Sequence, residues 1–176
     1  MSQIKVNSII PVAGVPTGGG GGIVQIRQYS TSTQASTTGN SFVATGLSGS
    51  ITTTSANSKI LVLVSQNYWI SASNNNVGGS INLNRVISGT ETVLDDGPRS
   101  STGPYGVWVG QDSGATTSEY NRYNIQYLDS PNQNASTTIT YNTKMAAYLS
   151  SFTIGAQNNA NQANGTSYLT LMEVSV

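Results

Sequence analysis

The 176-residue sequence contains no cysteine and no histidine, and only 8% of its residues are charged. Without cysteine and histidine the chain has no thiol nucleophile, no Ser-His-Asp triad, no disulfide and no Cys/His zinc cluster. Its seven Lys and Arg residues stand singly and balance seven acidic residues, so no basic stripe is present to bind a phosphate backbone. We therefore expect no enzyme activity, no cofactor, no metal site and no nucleic-acid partner.

Long apolar runs are also missing. No stretch approaches the roughly 20 apolar residues that a membrane helix needs. The first ten residues, MSQIKVNSII, lack the apolar core of a signal peptide. We expect no membrane partner and synthesis in a cytoplasm.

Serine, threonine, asparagine and glycine dominate the sequence, as in proteins built from short strands and polar turns. Apolar clusters recur at regular intervals, and the chain has nine tyrosines and two tryptophans. A disordered chain is depleted in such residues, so this composition indicates a folded domain.

Alternation of apolar and polar residues predicts about nine to ten β-strands, and no window has the spacing of an amphipathic helix. Two short strands are predicted on either side of a turn at 46–49, and a hairpin is predicted through the ISGT turn at 87–90. The predicted strands are GIVQIRQY (22–29), SFVATGL (41–47), SITTT (50–54), KILVLVSQNYW (59–69), GSINLNRV (79–86), TETVLDDGP (90–98), YGVWVG (105–110), YNRYNIQYLD (120–129), STTITYNTKMAAYL (136–149) and SYLTLMEV (167–174).

Strands this numerous, joined by both tight turns and longer loops, predict an all-β fold: a jelly-roll β-sandwich of two antiparallel sheets with an extended N-terminal arm. An immunoglobulin-like sandwich is the nearest alternative. The jelly-roll domain is expected to cover residues 23–176.

The most apolar stretch, KILVLVSQNYW at 59–69, is apolar on both faces of a strand. A central strand of a sandwich covers one face with its own second sheet, so the other face needs a further surface to bury against. Self-association into a closed homotrimer meets this need. The predicted oligomer-interface residues are Leu61, Leu63, Tyr68 and Trp69.

Five consecutive glycines at 18–22 separate the predicted domain from residues 1–17. Glycine runs have no side chains to pack, so they act as hinges. Pro11 and Pro16 exclude a helix from the preceding segment, which we expect to be an extended arm that docks on a partner by strand addition or in an apolar groove. The predicted anchoring residues are Ile4, Val6, Ile9, Ile10 and Val12.

Three groups of side chains have a functional interpretation, but a structural role is favoured for each. Glu91, Asp95 and Asp96 lack the ligand spacing of a calcium loop. Nothing but nearness in sequence pairs the acids Asp112, Glu119 and Asp129 as glycosidase carboxylates. The aromatic residues that would form a sugar-stacking platform are more typical of core or interface packing: Tyr68, Trp69, Tyr105 and Trp108.

Several segments resemble small virion proteins of tailed bacteriophages, particularly those infecting cyanobacteria. They are SQIKVNSIIPVAG, SITTTSANSKILVLVSQN, INLNRVI, YLDSPN and SYLTLMEVSV, and the resemblance runs from Ile4 onward. It implies a jelly-roll domain, commonly trimeric, on the outside of a phage particle, with no catalytic residues.

Two functions follow from this resemblance. The first is a head decoration, or cement, protein that binds the major capsid protein on the capsid exterior. The second is a short tail-fibre or baseplate-associated receptor-binding protein whose loops SASNNNVGG and NNANQANG contact host glycans. The absence of a visible shaft or coiled coil favours the first.

Overall fold

The computed structural model describes residues 22–72, 77–95, 107–111, 118–148, 152–157 and 165–175. These residues form eleven β-strands and no helix, so no helix in this part of the chain is long and apolar enough to cross a membrane. The all-β prediction is confirmed. The strands are β1 (Ile23–Thr31), β2 (Ala35–Thr37), β3 (Val43–Thr52), β4 (Lys59–Ala72), β5 (Val77–Ile87), β6 (Thr90–Asp95), β7 (Val107–Gln111), β8 (Ser118–Asp129), β9 (Thr138–Ala147), β10 (Phe152–Ala156) and β11 (Ser167–Val174).

The strands form two antiparallel sheets, sheet A and sheet B. In sheet A the order is β1-β11-β4-β8. Beyond the end of β11, β10 pairs with the second half of β4 on the same edge, and β2 pairs with β10. In sheet B the order is β3-β9-β5, and β6 and β7 pair with successive parts of the far edge of β5. The chain crosses repeatedly between the sheets, and the first described strand pairs with the last described strand, as in a jelly roll. The predicted two-sheet jelly-roll sandwich is therefore the fold.

Strand β4 is central, as its apolar sequence predicts. β8 pairs with β4 from Ile60 to Ser71, along one whole edge. On the other edge β11 pairs with the first half of β4, up to Ser65, and β10 pairs from Tyr68 onward. The partner of β4 therefore changes at Gln66 and Asn67.

Two local predictions have different outcomes. The hairpin at 87–90 is confirmed, and Ser88 and Gly89 both have positive φ (49° and 81°), as a type I′ turn requires. The turn predicted at 46–49 is wrong, because β3 runs continuously through it. Gly46, at φ 87°, lies in a bulge between Ala44 and Ser48, where the ladder to β9 is interrupted.

The core fills the space between the sheets and consists of two apolar clusters. The larger contains Leu47, Ile51, Ile60, Val62, Val64, Leu83, Ile125, Ile139, Tyr141, Leu169 and Leu171. The smaller contains Ile70, Ile81, Met145, Ala147, Ile154 and Ala156.

Buried polar side chains connect the sheets between these clusters. The Thr143 hydroxyl donates to Gln66 Oε1 at 2.8 Å, and Gln66 Nε2 donates to Ser167 Oγ at 2.8 Å. Thr45 Oγ1 lies 2.6 Å from Thr143 Oγ1. All four residues are buried. Because each polar group has partners, the network holds the region of the β4 partner change in one arrangement.

Strand β5 is buried on both faces. Ile81 and Leu83 point into the core, while Asn82 and Asn84 lie on the opposite face, as the alternation predicts, yet are buried as well. Asn84 Nδ2 donates to Asn82 Oδ1 at 2.9 Å and to Asn142 Oδ1 at 3.3 Å. These bonds satisfy the Asn84 amide nitrogen, whereas Asn84 Oδ1 has no hydrogen-bond partner among the described residues.

Candidate interaction surface

The two faces of β4 differ in burial. Ile60, Val62 and Val64 face sheet B and are buried in the core. Leu61 and Leu63 lie on the outer face of sheet A and are half-buried. The strand therefore carries apolar side chains on a face that sheet B does not cover.

A row of apolar residues crosses the outer face of sheet A at this point. Ile26 in β1 pairs with Met172 in β11, Met172 pairs with Leu61 in β4, and Leu61 pairs with Leu128 in β8. Directly paired residues project from the same side of a sheet with Cβ atoms about 5 Å apart. We call these four residues the outer apolar row. Its two ends, Ile26 and Leu128, are 52% and 53% exposed.

Apolar side chains extend the outer apolar row toward one end of the sheet. Ile23 and Val24 of β1 are exposed, and Val174, which pairs with Ile23, is half-buried. In the other direction the face becomes polar, because Leu63 lies between Thr170 and Gln126, and Ser65 donates to Asn124 Oδ1 at 2.9 Å. The apolar area is thus confined to one half of the outer face.

The four predicted interface residues are not equivalent in the structure. Leu61 belongs to the outer apolar row, and Leu63 lies one pair further along. Tyr68 is half-buried against the smaller core cluster. Trp69 is 6% exposed, and its ring lies against Gly155, so most of it is already packed within the chain. Contact of these residues with a second copy stays a prediction.

The five anchoring residues predicted in the arm, Ile4, Val6, Ile9, Ile10 and Val12, lie outside the described residues, as does most of the glycine hinge. Gly22 is described, and its carbonyl oxygen accepts from the Ser175 amide at 3.2 Å. The arm, the hinge and their boundaries stay predictions.

Asp129 is bound by two side chains of the domain itself, which indicates a structural role. Arg85 Nη1 donates to Asp129 Oδ1 at 2.7 Å, and the Tyr141 hydroxyl donates to Asp129 Oδ2 at 2.7 Å. Burial, with the hydrogen bond to Asp129, raises the pKa of Tyr141 well above its ordinary range. Because Asp129 lies in sheet A and its partners in sheet B, the three side chains join the sheets across the core.

The other acidic candidates show no cation site in the part of the chain that the structure describes. Glu91 forms an ion pair of 2.6 Å with Lys144. Asp95 accepts a long hydrogen bond from the Tyr123 hydroxyl, and burial followed by the charge of Asp95 raises the pKa of Tyr123 to about 12. Asp96, Asp112 and the Glu119 side chain lie outside the described residues.

The aromatic residues are not brought into one described platform. Trp69 is buried, Tyr68 is half-buried, and Tyr105 and the Trp108 side chain lie outside the described residues. Exposed aromatic rings on the outer face of sheet A are instead Tyr120 and Tyr168, which sequence reasoning did not single out. Their positions follow from the register of β8 and β11 on β4.

Glu173 is a buried carboxylate that sequence reasoning missed. Its oxygens accept from Gln25 Nε2 at 2.6 Å, from the Thr54 amide at 2.8 Å and from the Ser55 amide at 3.3 Å. Burial acts to raise the pKa of Glu173, but hydrogen bonds from Gln25, Ser58 and the two amides outweigh it and lower the pKa below 4.5. The carboxylate ties β1 and the β3–β4 connection to β11, beside the outer apolar row.

No protein-family model matches this sequence, and no curated protein does. Among solved structures, the Eiger TNF of S. frugiperda is 10% identical over 72% of this chain and 65% of its own, with a TM-score of 0.30. A structure of infectious bursal disease virus, Gx strain, is 14% identical over 88% of this chain and 39% of its own, with a TM-score of 0.31. The VP2 subviral particle of that virus is 12% identical over 88% of this chain and 38% of its own, with a TM-score of 0.31. The chain spans less than two thirds of the length of each, and similarities this weak assign it no function.

Proposed function

We propose that this chain is a non-catalytic structural protein of a tailed-phage virion, which decorates the capsid exterior. It assembles as a homotrimer through the outer face of sheet A and binds the major capsid protein through residues 1–17. The observation that carries the assembly is the outer apolar row. The resemblance of the sequence to small phage virion proteins supports the location.

The outer apolar row has the properties of a contact surface. Four strands each contribute one apolar side chain to it, and its ends at Ile26 and Leu128 are more than half exposed. Large apolar areas on an isolated chain mark places where another molecule binds. The only described charge in the flanking positions is Lys59, which pairs with Val174, so little charge has to be desolvated when copies meet.

The point at which the chain enters the domain fits this assembly. Ile23 pairs with Val174, so the chain enters the domain at the end of sheet A toward which the apolar area extends. Arms from several copies would therefore start close to the contact surface. Many weakly binding arms in one assembly give high overall avidity for a shell with repeated sites.

Sedimentation equilibrium of Leu61→Asn and Leu128→Asn tests the contact surface. Each substitution places a polar amide in the row. We expect the dissociation constant of the variant trimer to be at least tenfold higher than that of the natural trimer. Val93→Asn is the matched control, because Val93 is similarly exposed but lies on β6 of sheet B. A natural chain that sediments as a monomer, or row variants that stay trimeric, would refute the assembly.

The number of copies of the chain in each virion tests its proposed location on the capsid. A decoration protein covers the head in many copies, whereas a tail-fibre or baseplate protein is present in few. Quantitative gel densitometry of purified virions is expected to show a number comparable with that of the major capsid protein. A small number would favour the receptor-binding alternative.

A further inference from the structure

A shallow groove runs along β4 on the polar half of the outer face of sheet A. Its volume is about 220 Å³, below the roughly 300 to 1,000 Å³ of sites for drug-sized molecules, so it suits a single small ring. Directly paired residues of β11, β4 and β8 form it in two neighbouring rows, which are Tyr168, Ser65 and Asn124 in one row and Thr170, Leu63 and Gln126 in the next. Because directly paired residues project from the same side of a sheet, all six side chains lie on one face.

The floor and the two walls of the groove differ in character. Leu63 and Ser65 of β4 form the floor and are half-buried. In one wall, Tyr168 of β11 is 40% exposed, so its aromatic ring is accessible. In the opposite wall, Asn124 and Gln126 of β8 are exposed. No charged residue is among the described residues that line the groove, which favours a neutral ligand.

Hydrogen bonds within the chain orient the Asn124 amide. Arg122 Nη1 donates to Ser65 Oγ at 3.3 Å, and the Ser65 hydroxyl donates to Asn124 Oδ1 at 2.9 Å. Because a guanidinium group can only donate, Ser65 accepts from Arg122 and its own proton is directed to Asn124. The Asn124 Nδ2 donates to no described residue, so it is an oriented donor at the edge of the groove.

Two further polar groups face the same space. The exposed Gln126 amide forms no side-chain hydrogen bond to a described residue, so it can donate to one ligand hydroxyl and accept from another. Thr170 Oγ1 accepts from Gln28 Nε2 at 3.4 Å, which leaves the Thr170 proton free to donate. The groove thus combines donors and acceptors in one wall with an aromatic ring in the other.

From these observations we propose that the groove binds one ring of a neutral saccharide. Sugar hydroxyls both donate and accept, as the two amides do, and the C–H side of a pyranose ring packs on an aromatic face such as that of Tyr168. An extended peptide fits less well, because β4 is paired on both edges here and offers no free backbone groups for strand addition. A second copy also fits less well, since the exposed apolar side chains lie in the outer apolar row.

This site does not depend on the proposed capsid location or on the trimer, because the groove and the outer apolar row share no residue. Of the predicted interface residues, Leu63 alone lines the groove, where it would contact the sugar ring. Leu128→Asn, which disrupts the proposed trimer contact, should bind saccharide as the natural chain does. Binding by Leu128→Asn but not by the natural chain would show that copies cover the groove, and would overturn the proposal.

Saturation-transfer NMR on the full chain, with methyl glycosides of glucose, galactose, mannose, fucose and N-acetylglucosamine at millimolar concentration, tests the groove. We expect a signal from at least one glycoside and an affinity about tenfold lower in Tyr168→Ala, which removes the aromatic ring. Tyr120→Ala is the matched control, because Tyr120 is a similarly exposed tyrosine on the same face and does not line this groove. No signal from any glycoside, or an equal loss of affinity in both variants, would overturn the proposal.

A second variant separates a binding role of Asn124 from a structural one. Asn124→Asp keeps the oxygen to which Ser65 donates and replaces the Nδ2 donor with an oxygen that cannot donate. We expect an equal or higher melting temperature, because Ser65 links the new charge to Arg122, together with an affinity about tenfold lower. Unchanged affinity for the glycoside in Asn124→Asp would refute the role of the oriented donor.

Discussion

At the scale of the residue, Glu173 makes the stability of the domain depend on pH. The pKa of Glu173 in the folded chain is below 4.5. As the pH falls, this carboxylate therefore takes up a proton in the unfolded chain before it does so in the folded chain. The stabilisation is therefore complete above about pH 4.5 and is lost as the pH falls through the folded-state value. We expect Glu173→Gln to lose about 1 to 3 kcal/mol at neutral pH, the cost of weakening charge-assisted hydrogen bonds to a buried group.

The measurement is the urea midpoint as a function of pH. The natural chain should lose stability steeply below about pH 4.5, and Glu173→Gln should show a shallower decline. Glu91→Gln serves as the control, because Glu91 is a surface partner of Lys144. Identical acid profiles for the natural chain and Glu173→Gln would contradict the assignment.

Asp129 is the residue whose loss should weaken the contact between the sheets most directly. Asp129→Asn leaves the Arg85 cation without its counter-ion and weakens the bond from Tyr141. Removing one member of a buried ion pair costs about 3 to 5 kcal/mol, and the partial exposure of Arg85 places the expectation at about 2 to 4 kcal/mol. Urea unfolding measures the loss.

A double variant gives this prediction its control. Arg85→Met combined with Asp129→Asn removes the stranded cation, so part of the lost stability should return. If the double variant were as unstable as the sum of the two single ones, the groups would not be coupled.

At the scale of the element, the docking of β10 on β4 depends on Gly155. A Cβ atom at this position would lie 2.0 Å from the ring of Trp69, which is the residue opposite on β4. Gly155→Ala must therefore displace the ring, at a cost of about 1 to 3 kcal/mol. We expect a red shift of Trp69 fluorescence, measured in a Trp108→Phe background so that one tryptophan reports. Gly22→Ala, with no atom near the new methyl group, should change neither fluorescence nor stability.

The sequence predicts the long strands well because each carries its own alternation. The strongly apolar β4 and the regular β11 need no tertiary information to be recognised. The short strands are different, because Ala35–Thr37 has no apolar alternation and Gly155 interrupts the pattern of Phe152–Ala156. Similarly, Gly46 indicates a turn locally, but the ladder to β9 holds β3 together across it as a bulge.

The candidate contact surface is predictable only in part, for the same reason. Leu61 and Leu63 stand out because their strand is apolar on both faces. The sequence does not show that three further residues lie in one row with Leu61: Ile26, Met172 and Leu128. Their alignment depends on the order and register of four strands, which no local pattern contains.

At the scale of the whole molecule, domain and arm are predicted to have separable functions. A chain lacking residues 1–16 retains every strand of the jelly roll, so we expect it to remain folded and trimeric but to lose binding to capsids. Co-sedimentation with particles that lack the protein measures this binding, and Ile9→Asn combined with Ile10→Asn is the matched full-length variant. Decoration by the truncated chain at the level of the natural chain would show that the arm is not the anchor.

The pairing of Ile23 with Val174 has a practical consequence for engineering. Both ends of the domain leave from one corner of sheet A, so a short peptide linking them and a new opening at the Ser88–Gly89 hairpin would give a circular permutant in which all strands keep their neighbours. By the same reasoning, a fluorescent protein or affinity tag fused directly after Ser175 would lie beside the outer apolar row and obstruct it. Cargo inserted at that hairpin instead leaves from sheet B, at the turn between β5 and β6.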